Sequence, residues 1–207
     1  MSLTGGKLNL LNGQYGISAS KNSVAVMKLI RTHSPKTKSE LEDLIASHST
    51  SRCSCGIISQ GTIQDFGKNL YDAQFKEWKK EVFSLTECIQ WEYDLFITQS
   101  LKGNKIESNA ISTLKENFPT LTIKEAKGYI DEELRVDVII NDSNKKEIGV
   151  QIKPATFKMM RQNVISFNKV ANKKWGKPVA YLFYDDKENF ENLDDVVNEI
   201  MKFYSIT

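Results

Sequence analysis

Histidine and cysteine are scarce in this chain, with two and three copies among 207 residues. Neither histidine lies near Cys88 in sequence, which argues against a hydrolase built on a cysteine nucleophile and a histidine base and favours Cys88 as a small buried residue. Cys53, Cys55 and Cys88 leave one thiol over in any disulfide scheme, and a chain of this length does not need staples, so a reducing compartment is expected. His48, Cys53 and Cys55 form a His-x₄-Cys-x-Cys spacing that suits zinc poorly and has no fourth ligand close by in sequence, so zinc is not expected. No apolar stretch reaches 18 residues without a charge, and the start shows no charged segment followed by an apolar run. A membrane span and a secretory signal are therefore not expected, and the protein reads as intracellular and cytoplasmic. The formal net charge is only +2, so binding to a polyanion must depend on local clusters of Lys and Arg.

Apolar residues make up 40% of the chain and charged residues 26%, the composition of a folded protein able to bury one sizeable core with a helical elaboration. The stretch through Ser20, with Gly5, Gly6, Gly13 and Gly16, reads as an irregular arm. Two helices are expected next, with Val26, Leu29 and Ile30 on one apolar face and Leu41, Leu44 and Ile45 on the other, broken by Ser34-Pro35. Residues 49–57 are a small-residue break, followed by helical runs around Ile63 to Tyr71 and Leu85 to Ile97. The second half changes character. Leu134 to Ile140 and Glu147 to Lys153 alternate as strands, and Val179 to Tyr184 is rich in β formers. Between them, Phe157 to Ala171 reads as a helix with Phe157, Met160, Val164, Phe167 and Ala171 on one stripe. The expectation is one compact unit comprising a mainly helical region over 1–101 and an α/β part over 102–207.

Alternation places Leu134, Val136, Val138 and Ile140 on one face of the first strand and Arg135, Asp137 and Ile139 on the other. In the second strand Ile148, Val150 and Ile152 oppose Glu147, Gly149, Gln151 and Lys153. Asn141-Asp142-Ser143-Asn144 is turn chemistry, so the strands should pair as an antiparallel hairpin with both apolar sets on one side. Pairing Ile140 with Ile148 achieves this and sets Asp137 opposite Gln151 and Arg135 opposite Lys153. Phosphodiester hydrolysis needs a divalent ion, hard oxygen ligands and a group that steadies the charged phosphate or orients water. Asp137 would hold Mg²⁺, Gln151 would offer its amide oxygen, and Lys153 would supply the positive charge. Upstream, Glu107 falls among Ala110, Ile111 and Leu114 at helical spacing, and a carboxylate placed toward a core is costly unless paired or metal-bound.

Taken singly, each feature has a plainer explanation. A strand aspartate usually faces solvent, and Glu107 could be a surface or salt-bridged acid. Lys158, Lys169 and Lys173, with Arg161 on the flank, form a basic side of the 157–171 helix that serves equally as a solvated face or as phosphate contacts. Arg52, in the serine-rich break, is a further candidate DNA contact.

The RVDVII strand, the Glu92 to Ile97 helix and above all the segment GVQIKPATF from Gly149 to Phe157 resemble the PD-(D/E)XK nucleases, and more closely the type II restriction endonucleases of the MjaI kind. The resemblance spans most of the chain. It implies a mixed β-sheet flanked by helices, with the helical first half serving DNA recognition and dimerisation, and Mg²⁺-dependent cleavage of duplex DNA at a short specific sequence. It further implies a homodimer and a cognate DNA methyltransferase in the same system. By position, Asp137 matches the metal-binding acid, Gln151 stands where a second acid is usual, Lys153 matches the lysine, and Glu107 resembles the helix glutamate, so that Asp137, Glu107 and Gln151 form the metal set. Gln151 departs from the pattern by removing one negative charge. That departure keeps two other readings open: a repair or junction-resolving nuclease that reads DNA shape, and a catalytically silent DNA-binding protein.

Overall fold

A computed structural model of the chain describes residues 6–206. Residues 1–5, including Gly5, lie outside the described residues. The chain divides into two compact units, Met1–Asn104 and Lys105–Thr207.

The first unit is helical: α1 (Gly6–Tyr15), α2 (Val26–His33), α3 (Lys38–Thr50), α4 (Ile63–Trp78) and α5 (Leu85–Tyr93), which runs through a π-helical stretch, Asp94–Gln99, into α6 (Ser100–Asn117). The expected irregular arm is instead a helix over Gly6–Tyr15. Leu8 and Leu11 sit in a core with Ile17, Leu70, Cys88 and Trp91, and this burial outweighs the weak helix propensity of Gly13. The helix starts are encoded locally. Thr62 with Asp65 and Ser84 with Glu87 form reciprocal capping boxes, and Thr37 accepts a hydrogen bond from the Glu40 amide. Gly67 lets α4 and α5 pack closely, because a Cβ there would stand 2.5 Å from the Ile89 Cα.

The second unit holds the remaining turns of α6 and a four-stranded mixed sheet: β1 (Thr122–Glu125), β2 (Val138–Asn141), β3 (Glu147–Pro154) and β4 (Val179–Tyr184), in that spatial order. The β1–β2 and β2–β3 pairs are antiparallel and β3–β4 is parallel, which requires the crossover made by α8 (Gln162–Trp175). A short α7 (Tyr129–Glu132) precedes β2, and α9 (Leu193–Tyr204) closes the unit. Ile140 pairs with Ile148 as the alternation required. The intervening turn is made by Asp142, whose carboxylate accepts from the Asn144 and Lys146 amides, both at 2.9 Å. Val138, Ile140, Ile148, Val150 and Ile152 share one face, covered by Ile106, Ala110 and Leu114 of α6 and by Val196 and Ile200 of α9. The opposite face, which carries Gly149, Gln151 and Lys153, receives α8.

Two expectations are corrected here. The first β strand of the pair begins at Val138 rather than Leu134, and Val136 packs with Ile139 on the face opposite Val138. The cause is Arg135, whose φ of 58° turns the backbone before the strand. The helix of the second half begins at Gln162 after a 3₁₀ turn, Ala155–Met159. Its expected core stripe is only partly kept: Phe157, in the 3₁₀ turn, is buried and Ala171 half-buried, but Met160, Val164 and Phe167 are exposed, Phe167 to 73%. The side facing the sheet carries Asn168, Asn172 and Trp175 instead. Trp175 fits because Gly149 has no side chain; a Cβ there would meet the Trp175 ring and the Val136 side chain at 2.8 Å.

Candidate active site

Asp137 is placed by the turn that precedes it. The carbonyls of Leu134 and Arg135 accept from Asn172 Nδ2 at 2.9 and 3.0 Å, and Asn172 Oδ1 accepts from the Tyr181 hydroxyl. Asn172 is buried and reaches the turn from α8, 37 residues away from Arg135 in sequence. A non-glycine residue at positive φ costs about 1 kcal/mol, and these bonds offset it. The Asp137 amide then donates to Val150 O at 3.0 Å, while its carboxylate oxygen Oδ2 accepts from the Ile152 amide at 2.6 Å. These two bonds bracket Gln151, so Asp137 does stand across from Gln151. The expected Arg135–Lys153 pairing is not made, because the left-handed turn at Arg135 ends the ladder first.

Gln151 is fully buried. Its Nε2 donates to Asn168 Oδ1 at 3.1 Å, and Asn168 Nδ2 donates to Val164 O at 3.0 Å. The Val164 carbonyl can only accept, which fixes the orientation of both amides. Gln151 Oε1 is consequently left buried with no hydrogen-bond partner, an expensive arrangement unless something else binds that oxygen. Asn168 and Asn172, one helical turn apart on α8, escaped the sequence reading. The available signal was two amides flanking an otherwise basic and apolar helix, without anything to show which side faced the sheet.

Burial pushes the Asp137 carboxyl up to about 6, against the opposing pull of Lys153, the Ile152 amide and Arg135; Asp131 adds to the rise. Lys153 follows Gln151 on the same face of β3, half-buried, and pairs in register with Phe183. Glu107 is half-buried at the margin of the α6 stripe formed by Ile106, Ala110 and Leu114, rather than beneath it. It nevertheless acts on the same surroundings as Asp137: burial raises the Tyr184 hydroxyl pKa, and the charges of Glu107 and then Asp137 raise it further. Glu107 and Asp137 thus both act electrostatically on Tyr184, the last residue of β4, and Lys153 acts on Asp137.

Among the candidate phosphate contacts, Arg161, Lys169 and Lys173 are exposed on or beside α8. Lys158 is already engaged, lying 4.3 Å from the Phe183 ring centroid and 3.5 Å from a Glu191 carboxylate oxygen. Arg52 is exposed in the loop after α3, in the first unit. In that unit His33 and His48 also meet Cys53 and Cys55, so a fourth side chain able to bind a metal, which the sequence spacing lacked, stands beside the other three.

A carboxylate, a buried unpartnered amide oxygen and a lysine thus lie on one sheet face, a set of hard oxygen donors beside a positive charge. The family model of the MjaI restriction endonuclease matches residues 7–202, nearly the whole chain, and the chain belongs to that family. Comparisons with curated proteins and with solved structures gave no match. Family membership supports a type II restriction endonuclease, a hydrolase acting on DNA, and restriction endonucleases generally use divalent metal ions. The α/β architecture with its four-stranded mixed sheet is compatible with a restriction-endonuclease-like fold. No helix among the described residues is long and apolar enough to cross a membrane.

Proposed function

We propose that the second unit is a PD-(D/E)XK catalytic core that hydrolyses phosphodiester bonds of duplex DNA at a short specific sequence, using Mg²⁺ held by Asp137, Gln151 and Glu107. The observation that carries this reading is the bracket formed by Asp137 around Gln151, with the Gln151 oxygen buried and unpartnered. The order of elements, α6, three antiparallel strands, α8 and a parallel β4, supports the same core.

The donor set fits a hard divalent cation. Asp137 Oδ2 accepts from the Ile152 amide, which orients the carboxylate, and Gln151 adds a neutral carbonyl oxygen. When bound, the ion supplies charge neutralisation at the phosphate and lowers the pKa of water. Asp137, raised to about 6 by burial, is mostly ionised at neutral pH and so available as a ligand. Lys153, extending from the same face of β3, stabilises the negative charge that builds on the phosphate or holds the attacking water. Glu107 restores the negative charge that Gln151 lacks.

In this reading the helical first unit, with Arg52, serves recognition and dimerisation, and the exposed Arg161, Lys169 and Lys173 serve the duplex backbone, joined by Lys158 on exchanging its Glu191 partner for a phosphate. The protein acts as a cytoplasmic homodimer whose host DNA is protected by a cognate methyltransferase. Incubation of duplex DNAs of varied sequence with the full chain and Mg²⁺ tests the proposal: discrete fragments are expected. Cuts that follow DNA structure instead of sequence would indicate a repair nuclease. Retention of DNA without cutting would indicate a binding protein, the reading that the neutral Gln151 favours.

A further inference from the structure

The loop after α3 carries little regular structure, yet Ile57 at its end is buried in the core with Leu29, Ile45 and Phe66. Something must hold this loop against the α2–α3 helical hairpin. His33 is the last residue of α2 and His48 lies in the final turns of α3. Their rings meet edge-to-face with centroids 5.1 Å apart. Cys53 and Cys55 return beneath them, and one ligand atom from each of these four residues lies within 4.8 Å of every other. A tetrahedral zinc with Zn–S of about 2.3 Å and Zn–N of about 2.0–2.1 Å has ligand-to-ligand edges of roughly 3.3–3.8 Å. Closing the observed cluster to that size needs small side-chain movements only.

The hydrogen bonds prepare these atoms for a metal. His48 Nδ1 lies 2.7 Å from the Leu44 carbonyl, which can only accept, so Nδ1 carries the proton and Nε2 presents its lone pair. Nε2 is 3.3 Å from Cys55 Sγ. A metal-binding histidine ordinarily has its second nitrogen anchored to a carbonyl in this way. Both sulfurs accept from backbone amides: Cys53 Sγ from the Cys55 N–H at 3.4 Å and Cys55 Sγ from the Ile57 N–H at 3.5 Å. His48 and the loop are further joined by the Ser59 amide donating to His48 O at 3.0 Å.

We propose that His33, His48, Cys53 and Cys55 hold a structural zinc ion that ties α2, α3 and the 51–57 loop together in the first unit. Two thiolates and two imidazoles in tetrahedral array suit zinc over harder ions, and all four positions are filled by protein, so the site is closed to substrate. The ion fixes the position of Arg52, which immediately precedes Cys53. It is separate from the oxygen site of the second unit, whose ligands are of a different chemical type.

The test is metal content and cobalt spectroscopy on the tag-free full chain. Protein purified without chelator is expected to carry one zinc per chain by elemental analysis. Co²⁺ exchanged into it should give the strong visible bands of a tetrahedral ion and thiolate charge-transfer absorption. His33→Ala alters an exposed side chain and should preserve helicity while weakening Co²⁺ binding about tenfold or more and shifting the visible bands. The Cys53→Ser/Cys55→Ser double variant should lose the charge-transfer absorption. Asp137→Ala should retain full zinc. Wild-type protein that carries no zinc and yields no tetrahedral Co²⁺ spectrum overturns the proposal, as does a Co²⁺ spectrum unchanged in His33→Ala. Recovery of a Cys53–Cys55 disulfide in metal-free protein handled without oxidant does the same.

Discussion

Gln151 donates its amide nitrogen to Asn168 Oδ1 at 3.1 Å and thereby leaves its own carbonyl oxygen buried without a partner opposite Asp137. Gln151→Glu places a charged oxygen at this position. Asn168 must then rotate its amide to donate, giving up its bond to Val164 O at a cost of about 1 kcal/mol. The half-saturating Mg²⁺ concentration for DNA cleavage is expected to fall several-fold, with the fold intact by circular dichroism. An unchanged metal titration would remove Gln151 from the metal site.

Asp137 and Lys153 are expected to be indispensable for cleavage and dispensable for binding. Asp137→Asn keeps an oxygen to accept the Ile152 amide but removes the charge, and Lys153→Ala removes the cation. Each should lower the cleavage rate by about 10²–10³ or more while gel-shift affinity for duplex DNA changes little. Cleavage at the wild-type rate in either variant would overturn the site.

Asn172 positions Asp137 through the turn at Arg135. Asn172→Ala strands the Leu134 and Arg135 carbonyls and the Tyr181 hydroxyl, and each buried group left unpaired costs about 1–3 kcal/mol. The urea midpoint should fall accordingly. At a urea-free temperature where the variant is fully folded, kcat should still be reduced with KM near normal, because the carboxylate loses its orientation. A folded variant with full kcat would show Asn172 to be structural only.

Glu92 sets a pH dependence in the first unit. Burial pushes its carboxyl up to about 7, opposed by a hydrogen bond from the Ser18 hydroxyl at 3.1 Å, and its Oε1 is buried without a partner. The unfolded value is about 4.3, so the folded state holds this proton more tightly. The resulting stabilisation is complete below about pH 4.3 and is lost as pH rises to about 7, after which the curve is flat. Urea midpoints at pH 5.5 and 8 should therefore differ more for the wild type than for Glu92→Gln, which is expected to be the more stable of the two at pH 8. Equal pH dependence in both proteins would contradict the assignment.

The pairing of Ile140 with Ile148, and with it the placing of Asp137 across from Gln151, was legible in the residues alone. Strand alternation and the Asp142 turn are local properties, and only one register buries both apolar sets. The helix starts at Thr62 and Ser84 are local for the same reason: the cap and the amide it satisfies lie three residues apart. Other features depend on groups distant in sequence. The left-handed turn at Arg135, which moves Val136 to the other face and ends the strand, is held by Asn172 on α8. Periodicity marked an apolar stripe on α8, but the fit of Trp175 over Gly149 and the hydrogen bonds of Asn168 and Asn172 turned a different side to the sheet. His33 joined His48, Cys53 and Cys55 only because α2 and α3 fold back on each other. The sequence by itself thus determined the strand register and the opposition of Asp137 and Gln151, since both follow from nearest neighbours along the chain. Tertiary structure decided the orientation of the Asp137 carboxylate, the unpartnered oxygen of Gln151 and the four-ligand cluster, since each depends on packing between segments that no local pattern specifies.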